Sequence, residues 1–284
     1  MPARIPMTAK QREALLALPM TEEEVIAHHS LDENERAAIA RLRSPANQLG
    51  YALQLCCLRF PGRYLRRGEL LPAIMLDHVA EQIDVDADVI ADFAKRGPTR
   101  YEQLASIKRN HGFVDLTHPV RAELKQWLEA EALSCTDGRL LLERLIARMR
   151  ERKIIIPGVS VIERLTASAM HAADAKVASE ILAQLNTEQK AKLNAVLDDK
   201  THAQQSRLSW LREPPIRVGA RGLFELLDKI DYIRRLGIGE LALPDYLKLR
   251  LSQLAREGVR YTAQALQQMT LEYQSCSANA PARC

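Results

Sequence analysis

The sequence predicts an all-α protein made of consecutive small helical domains with helix-turn-helix-like units, followed by a helical connector region. Three observations predict this class. Gly and Pro are scarce, at 12 and 13 of 284 residues, and aromatic residues make up only 5%. The apolar residues are mainly Leu, Ala and Ile, interleaved with Arg, Glu, Gln and Lys, which is the composition of helices. No segment alternates apolar and polar residues as a half-buried strand does.

Length and composition narrow the class further. A chain of 284 residues is long enough for two or three domains. No run of about 18 apolar residues occurs, and the first residues lead into no apolar stretch, so we expect a cytoplasmic protein without a membrane partner. The five cysteines are odd in number and form no C-x-x-C pair, which argues against a zinc ribbon and against a disulfide framework.

Helix starts are marked by capping boxes, in which a side-chain oxygen and a Glu or Gln three residues later satisfy free backbone N–H groups. The predicted boxes are Thr8/Gln11, Thr21/Glu24, Asp32/Glu35, Thr99/Glu102 and Ser160/Glu163. Further along the chain, apolar residues recur at helical spacing at Ala46, Leu49, Leu53, Cys57 and Phe60. This pattern predicts a buried helix ending near Phe60, with Arg59 and Arg63 facing outward at a basic edge.

Two later segments have the spacing of a helix-turn-helix. Residues 72–83 and 87–95 predict two short helices around residues 84–86, a pattern that plain helical hairpins share. A long helix over 137–153 would place Arg144, Arg148 and Arg152 in one row. A turn at residues 157–158 and a helix capped by Ser160 follow, which suits either a groove-reading unit or a packing corner.

These segments divide the chain into four parts. Residues 1–116 and 117–185 are predicted to be the first and second helical DNA-binding domains, because residues 114–119 break the helical periodicity. Residues 186–274 are predicted to be a helical connector region, with helices over 187–197, 201–211, 223–236, 247–256 and 263–272. The tail, 275–284, has no apolar pattern and is expected to be disordered.

Basic residues are clustered although the net charge is only +4. Residues 37–68 contain six arginines and no Asp or Glu, and two further clusters lie near residues 95–109 and 139–153. One such cluster is usually a solvated helix face, but three favour a phosphate-binding surface. The DNA-binding candidates are Arg41, Arg43, Asn47, Gln48, Arg59, Arg63, Arg66, Arg67, Arg96, Arg100, Lys108, Arg109, Arg148, Arg152, Lys153, Ser160 and Arg164.

Catalytic and cofactor motifs give no support to an enzyme. The G-x-G-x-x-A match at residues 237–242 follows a helical stretch instead of a strand. His28 and His29 are neighbours on a helix and point about 100° apart, which does not suit a shared metal. We therefore expect no catalytic residues, no metal, no cofactor and no small-molecule substrate.

The order of several segments resembles the amino-terminal region of the replicative transposases of the Tn-three family. The residues that carry the likeness are 43–56, 58–63, 99–102, 112–113, 156–165, 208–215 and 236–238, while residues 275–284 depart from it. The resemblance implies helical domains that bind the terminal inverted repeats of a transposon. It also implies that the acidic triad and metal ions for strand transfer belong to a later domain, absent from this chain.

The expected function is thus sequence-specific binding of double-stranded DNA at transposon ends, by a non-catalytic part of a transposase. Homodimerisation or pairing with a full-length transposase stays open. The alternative is a helical protein-interaction scaffold, or a truncated competitor of a full-length transposase. Natural truncation, a frameshifted gene and an excised piece also stay open as origins of the chain.

Overall fold

The computed structural model describes residues 5, 7–93, 97–198, 206–215, 219–239, 243–266 and 268. Over these residues the chain is helical and contains no β-strand, so the predicted all-α class is confirmed. The helices are α1 (Ala9–Ala14), α2 (Glu22–His29), α3 (Glu33–Ala40), α4 (Pro45–Arg59), α5 (Ala73–Gln82), a 3-10 helix (Ala87–Asp92), α6 (Gly97–His111), α7 (His118–Ser134), α8 (Gly138–Glu151), α9 (Val159–Gln184), α10 (Thr187–Asp198), α11 (Arg207–Arg212), α12 (Ala220–Arg235) and α13 (Asp245–Gly258).

The chain forms two compact units, residues 1–171 and 172–284. The division into four parts expected from the sequence stays a prediction. Its first boundary, after residue 116, lies within the first unit, where Val114 bonds to the segment that follows α8. The Val114 backbone N–H donates to the Lys153 carbonyl at 3.0 Å, and the Ile155 N–H donates to the Val114 carbonyl at 2.9 Å. The predicted tail lies outside the described residues.

Helix α4 is the centre of the first unit. Its residues from Leu49 to Leu58 are all buried, so the helix is enclosed on every side. Helices α2, α3, α5 and α6 pack around it. At Gly50 the Phe93 ring comes so close that an added Cβ would lie 2.1 Å from it, which explains the glycine. The sequence predicted the core stripe of α4, but not that its other faces are covered.

The predicted helix starts are confirmed in part. Thr8 and Asp32 each form the full capping box, and Thr21 accepts a hydrogen bond from the Glu24 backbone N–H. The boxes at Thr99 and Ser160 are wrong, because α6 begins at Gly97 and α9 at Val159, which puts both residues inside the first turn. Pro98 at the start of α6 has a backbone already suited to a first helical turn.

The predicted helix pair at residues 72–95 is only half formed. The first helix is α5, within a residue of its predicted ends. In place of the second α-helix there is the 3-10 helix Ala87–Asp92, whose short length does not provide a recognition helix. Asp86 caps it by accepting from the Asp88 N–H. Residues 94–96 lie outside the described residues.

The predicted long helix near residue 140 is confirmed as α8, with Asp137 as its N-cap and Leu141, Leu145, Ile146 and Met149 buried. The buried residues Ile154, Ile155 and Ile156 follow it. The prediction of a turn at Pro157–Gly158 is wrong, because the chain turns earlier, at Arg152–Lys153, where Lys153 has φ 53°. Gly158, at φ 153°, directly precedes α9.

In the second unit, α10, α12 and α13 correspond to predicted helices, and α11 covers only the end of the predicted helix over 201–211. Residues 199–205 and most of 267–274 lie outside the described part. No helix in the described ranges is long and apolar enough to cross a bilayer.

Candidate nucleic-acid interface

The turn over residues 63–69 is held by side-chain hydrogen bonds and carries two of the predicted DNA-binding residues, Arg66 and Arg67. The Arg63 side chain is only 7% exposed and donates to both carboxylate oxygens of Glu69, at 2.6 and 2.9 Å, and to the Leu16 carbonyl at 2.9 Å. Glu69 also accepts from the Arg66 backbone N–H at 2.9 Å. Although burial alone would raise it, these hydrogen bonds lower the pKa of Glu69 below its ordinary value. The turn between Arg63 and Glu69 is therefore fixed, and the Arg66 and Arg67 side chains on it are exposed to solvent.

Helix α6 lies opposite this turn, and side-chain bonds fix it at three places. In its middle, buried Gln103 accepts from the Gln54 side-chain amide at 2.9 Å and donates to the Asn47 carbonyl at 3.1 Å. Near its start Arg100 donates to the Leu65 carbonyl. Near its end Lys108 pairs with Asp115 at 2.7 Å. The direction and register of α6 on α4 are thus determined by side chains.

Asp115 also accepts a hydrogen bond from the Tyr64 hydroxyl. The hydrogen bond from Lys108, followed by that from Tyr64, lowers the pKa of Asp115. The same ion pair raises the pKa of Lys108, while burial and then the Asp115 hydrogen bond raise the pKa of Tyr64. Lys108 and Asp115 are both charged, and Tyr64 is neutral, at pH 7.

Between the turn, the 3-10 helix and α6 lies a groove of about 970 Å³. Its lining includes the cations Arg66, Arg67, Arg100 and Lys108 against the single carboxylate of Glu69. Tyr101, whose side chain is 75% exposed, stands on the α6 wall. We call this the basic groove. It brings together parts of two basic clusters that are separated by more than 30 residues in sequence, and its charge attracts anions.

Other candidates lie on or near the same elements. Arg109 is exposed on α6 and has no salt bridge within the part of the chain that the structure describes. Arg41 and Arg43 are likewise exposed, at the turn between α3 and α4. Arg96 lies outside the described residues.

Four of the predicted DNA-binding residues instead form hydrogen bonds or ion pairs within the protein. Gln48 donates its side-chain amide to the carbonyls of Ala40 and Leu42, at 3.3 and 3.0 Å. Asn47 is half-buried and contacts Gln103 through its backbone carbonyl. The prediction that Arg59 and Arg63 face outward is wrong: Arg59 pairs with Glu35 and donates to the Ser30 carbonyl, and Arg63 is buried as described above. The carboxylate that holds Arg59 comes from 24 residues earlier, and the one that holds Arg63 comes from six residues later.

The three arginines of the predicted basic row lie on or directly after α8, and each of them pairs with a carboxylate. Arg144 pairs with Glu131 at 3.0 Å, Arg148 with Glu151 at 2.8 Å and Arg152 with Glu123 at 2.8 Å. Two of these acids come from α7. The row is therefore close to neutral and offers a weak field to an anion.

The remaining candidates are at the ends of α8 and α9. Lys153 donates to the His111 carbonyl at 3.0 Å. Ser160 and Arg164 are exposed in the first turns of α9, where the Arg164 side chain donates to the Ser160 carbonyl at 3.3 Å and meets no carboxylate among the described residues.

Sequence reasoning missed Tyr64, Tyr101 and the positioning residue Gln103. Tyr101 carried a signal, because it is an aromatic residue directly beside Arg100 in a chain with few aromatics. Gln103 carried none, since its role depends on Gln54, 49 residues away.

Groups suited to metal or thiol chemistry give no second site in the described part of the chain. It holds no cluster of three or more His, Cys, Asp or Glu side chains arranged for a metal ion. Cys56, Cys57 and Cys135 are buried. Burial raises the pKa of Cys57 to about 12 and also raises that of Cys56, so neither forms a thiolate readily.

The described part of the chain is thus all-α, with a positively charged groove in its first unit. Residues 7–169 match the family described as "Domain of unknown function (DUF4158)". Since the match covers more than half of the chain, the protein belongs to this family.

Similarity to transposases extends over almost the whole sequence. The chain is 30% identical over 266 residues to the transposase for transposon Tn21 from Escherichia coli, covering 92% of this chain and 26% of that protein. It is 30% identical over 275 residues to the transposase for transposon Tn2501 from Escherichia coli, with 95% and 27% covered. Against the transposase for transposon Tn501 from Pseudomonas aeruginosa, identity is 28% over 266 residues, with 94% and 27% covered. The chain is transposase-related and spans about a quarter of the length of these relatives.

Proposed function

We propose that this chain binds double-stranded DNA at the ends of a transposable element, as the end-recognition part of a transposase. The observation that carries the proposal is the basic groove, in which Arg66 and Arg67 on the turn face Arg100 and Lys108 on α6. The groove attracts anions in general, and the similarity to transposases indicates that the anion is DNA, because transposition acts on DNA.

The groove suits one strand of a duplex backbone. Arg66 and Arg67 have no carboxylate partner among the described residues, so they approach phosphates without first breaking an ion pair. Lys108 is shared with Asp115, and Arg100 is held by a backbone carbonyl, so both keep their positive charge on a rigid wall. The buried salt bridge between Arg63 and Glu69 joins the two ends of the turn and so fixes its conformation.

The proposed role is binding without catalysis. In this proposal, strand transfer belongs to a catalytic domain outside the described residues, and a second copy or a full-length transposase supplies further contacts. The cations for the interface are those of the groove together with Arg109, Arg41, Arg43 and Arg164. We leave out Arg59, Arg63, Arg148 and Arg152, since each pairs with a carboxylate and none of them lines the groove. Lys108 also pairs with a carboxylate, Asp115, but it lies in the groove lining.

The test is selection of a duplex pool with a randomised centre on the 284-residue chain, followed by anisotropy titrations. We expect one enriched sequence, bound about tenfold or more tightly than its scrambled version. Contacts from the four groove cations alone predict that log K falls against log salt with a slope of about −3 to −4, and each further phosphate contact, from Arg109, Arg41, Arg43 or Arg164, steepens the slope by about 1. Arg66→Ala and Arg67→Ala should each weaken binding, whereas Arg139→Ala, an exposed arginine on α8 paired with Glu143, should not.

Two results would contradict the proposal. Absence of binding at low salt would remove DNA as the partner of this chain. Equal loss of affinity on Arg67→Ala and on the control Arg139→Ala would show that binding follows total charge and not the groove.

A second candidate is a protein-interaction scaffold, and helix α12 favours it. Leu223, Phe224, Leu227 and Ile233 on α12 are 60%, 67%, 50% and 49% exposed, an apolar surface that suits a protein partner. Chromatography with light scattering tests this role. A monomer at all concentrations that fails to associate with a full-length relative would count against the scaffold, and its outcome is independent of the DNA titrations.

A further inference from the structure

The outer side of α6 carries a side-chain pattern that suits the major groove of DNA. Tyr101, Ala105 and Arg109 follow one another at intervals of four residues, so they form a row along one side of the helix. All three are exposed, Tyr101 by 75%. The opposite side, with Gln103 and Ile107, is buried against α4.

We infer that this row, the α6 face, reads base edges in the major groove while the basic groove beside it holds the neighbouring phosphates. The inference rests on the proposed function and goes beyond it by assigning sequence readout to one helix. Tyr101 and Ala105 belong to both surfaces, because they also line the basic groove. A duplex seated with one strand in the groove therefore presents its base edges to the same helix.

The dimensions agree with this arrangement. From Tyr101 to Arg109 the helix rises about 12 Å, at about 1.5 Å per residue. The major groove of B-DNA is about 12 Å wide and admits an α-helix, and a rise of about 3.4 Å per base pair gives contact with three or four base pairs. This footprint matches that of one helix in known groove-reading units.

The side chains have the chemistry of base readout. A guanidinium without a carboxylate partner, as on Arg109, can donate two hydrogen bonds to the O6 and N7 of guanine. The Ala105 methyl group and the Tyr101 ring offer apolar contact to the thymine methyl group. Glu102, exposed at the side of the same row, accepts from the amino group of cytosine and repels a misplaced phosphate.

Rigidity is the reason to assign the readout to α6. Discrimination between bases requires donors and acceptors held in fixed positions, and α6 is fixed by Arg100, Gln103 and Lys108. The other candidate residues for base readout are less suited. The Gln48 side-chain amide on α4 already donates to two backbone carbonyls, and the α8 arginines pair with carboxylates.

The experiment repeats the duplex selection with variants of the 284-residue chain. Arg109→Ala and Tyr101→Ala should each lower the affinity for the selected duplex by about 5- to 100-fold, and should change the affinity for its scrambled version much less. Tyr101→Phe keeps the ring and should keep the discrimination. Arg67→Ala, the matched phosphate-contact control, should weaken both duplexes by a similar factor and reduce the salt slope by about 1. Circular dichroism of each variant verifies that α6 is still folded.

Selection on Arg109→Ala should yield a changed sequence within one block of three or four base pairs. If the wild-type chain enriches a sequence and the α6 variants enrich the same one with unchanged discrimination, readout lies elsewhere and this inference fails while the proposed function stands. If the wild-type chain enriches no sequence, the proposed function fails, and the inference with it.

Discussion

Gln54 and Gln103 form a buried amide pair that holds α6 on α4, and a double-mutant cycle measures what the pair contributes. Gln54 is fully buried and Gln103 is 7% exposed. The Gln54 Nε2 donates to the Gln103 Oε1 at 2.9 Å, and the Gln103 Nε2 donates to the Asn47 carbonyl at 3.1 Å. The Gln54 Oε1 has no partner among the described residues.

The magnitudes follow from the groups that each change leaves unpaired. Gln103→Leu strands the Gln54 amide, while the Asn47 carbonyl keeps its hydrogen bond within α4, so at about 1–3 kcal/mol for a buried unpaired group we expect a loss of about 1–3 kcal/mol. Gln54→Leu removes an oxygen that is already unpaired and strands only the more accessible Gln103 oxygen, so its loss should be about 0–1 kcal/mol. With both replaced, neither amide is left unpaired. The double variant should be more stable than Gln103→Leu alone by about 1 kcal/mol or more.

The assay is urea unfolding followed by Trp127 fluorescence, with Trp210→Phe as the common background. Trp127 lies in the first unit and Trp210 in the second, so this background reports on the first unit alone and avoids summing two transitions. Stability changes that add within about 0.5 kcal/mol would show that the two amides are not coupled, and would refute the role given to Gln103 in fixing α6.

Three further predictions concern charge. Because the folded-state pKa of Glu69 is lowered, its stabilising contribution is present above its ordinary pKa of 4.5 and is lost as the pH falls through the folded value; Glu69→Gln should therefore cost about 1–3 kcal/mol at pH 7 and progressively less as the pH falls below 4.5, measured by urea unfolding, and a cost independent of pH would contradict this. Burial lowers the pKa of His29, whose Nε2 lies 2.8 Å from the Phe60 carbonyl, so the wild type should lose stability relative to His29→Gln as the pH falls below 6.5, by at most about 1.4 kcal/mol per pH unit; a difference independent of pH would contradict this. In anisotropy titrations Arg164→Ala, a change on α9 and outside the α6 face, should weaken binding to selected and scrambled duplexes alike, as Arg67→Ala should, and a selective loss of discrimination on Arg164→Ala would show that α9 reads bases too.

Local signals predicted most helix positions. The capping box at Asp32 predicted the start of α3, and the apolar spacing of Leu141, Leu145 and Met149 predicted α8, because a capping box and a 3.6-residue period are properties of neighbouring residues. The same signals failed at Thr99 and Ser160, where the capping pattern is present but the helix starts earlier. A capping box describes which bonds are available, while packing decides which residue begins the helix.

The candidate site was predicted only in outline. Arg66, Arg67, Arg100 and Lys108 were all recognised as basic candidates, but nothing in the sequence indicated that they line one groove. The reverse error occurred at Arg59, where an acid-free stretch suggested an exposed cation. Its partner Glu35 comes from another helix, 24 residues earlier, and such pairing depends on tertiary packing.

Charge counted along the chain therefore differs from charge counted across the surface. On α8, Arg144, Arg148 and Arg152 each meet one carboxylate, so beyond a Debye length of about 10 Å that row has little net field. In the basic groove Glu69 is bonded to buried Arg63 and Lys108 pairs with Asp115, so the positive charges of Arg66, Arg67 and Arg100 stay uncompensated. Two clusters of similar strength in the sequence thus differ in the fold, and a polyanion approaching the described part of the first unit is attracted to the groove and the adjoining side of α6 more strongly than to α8.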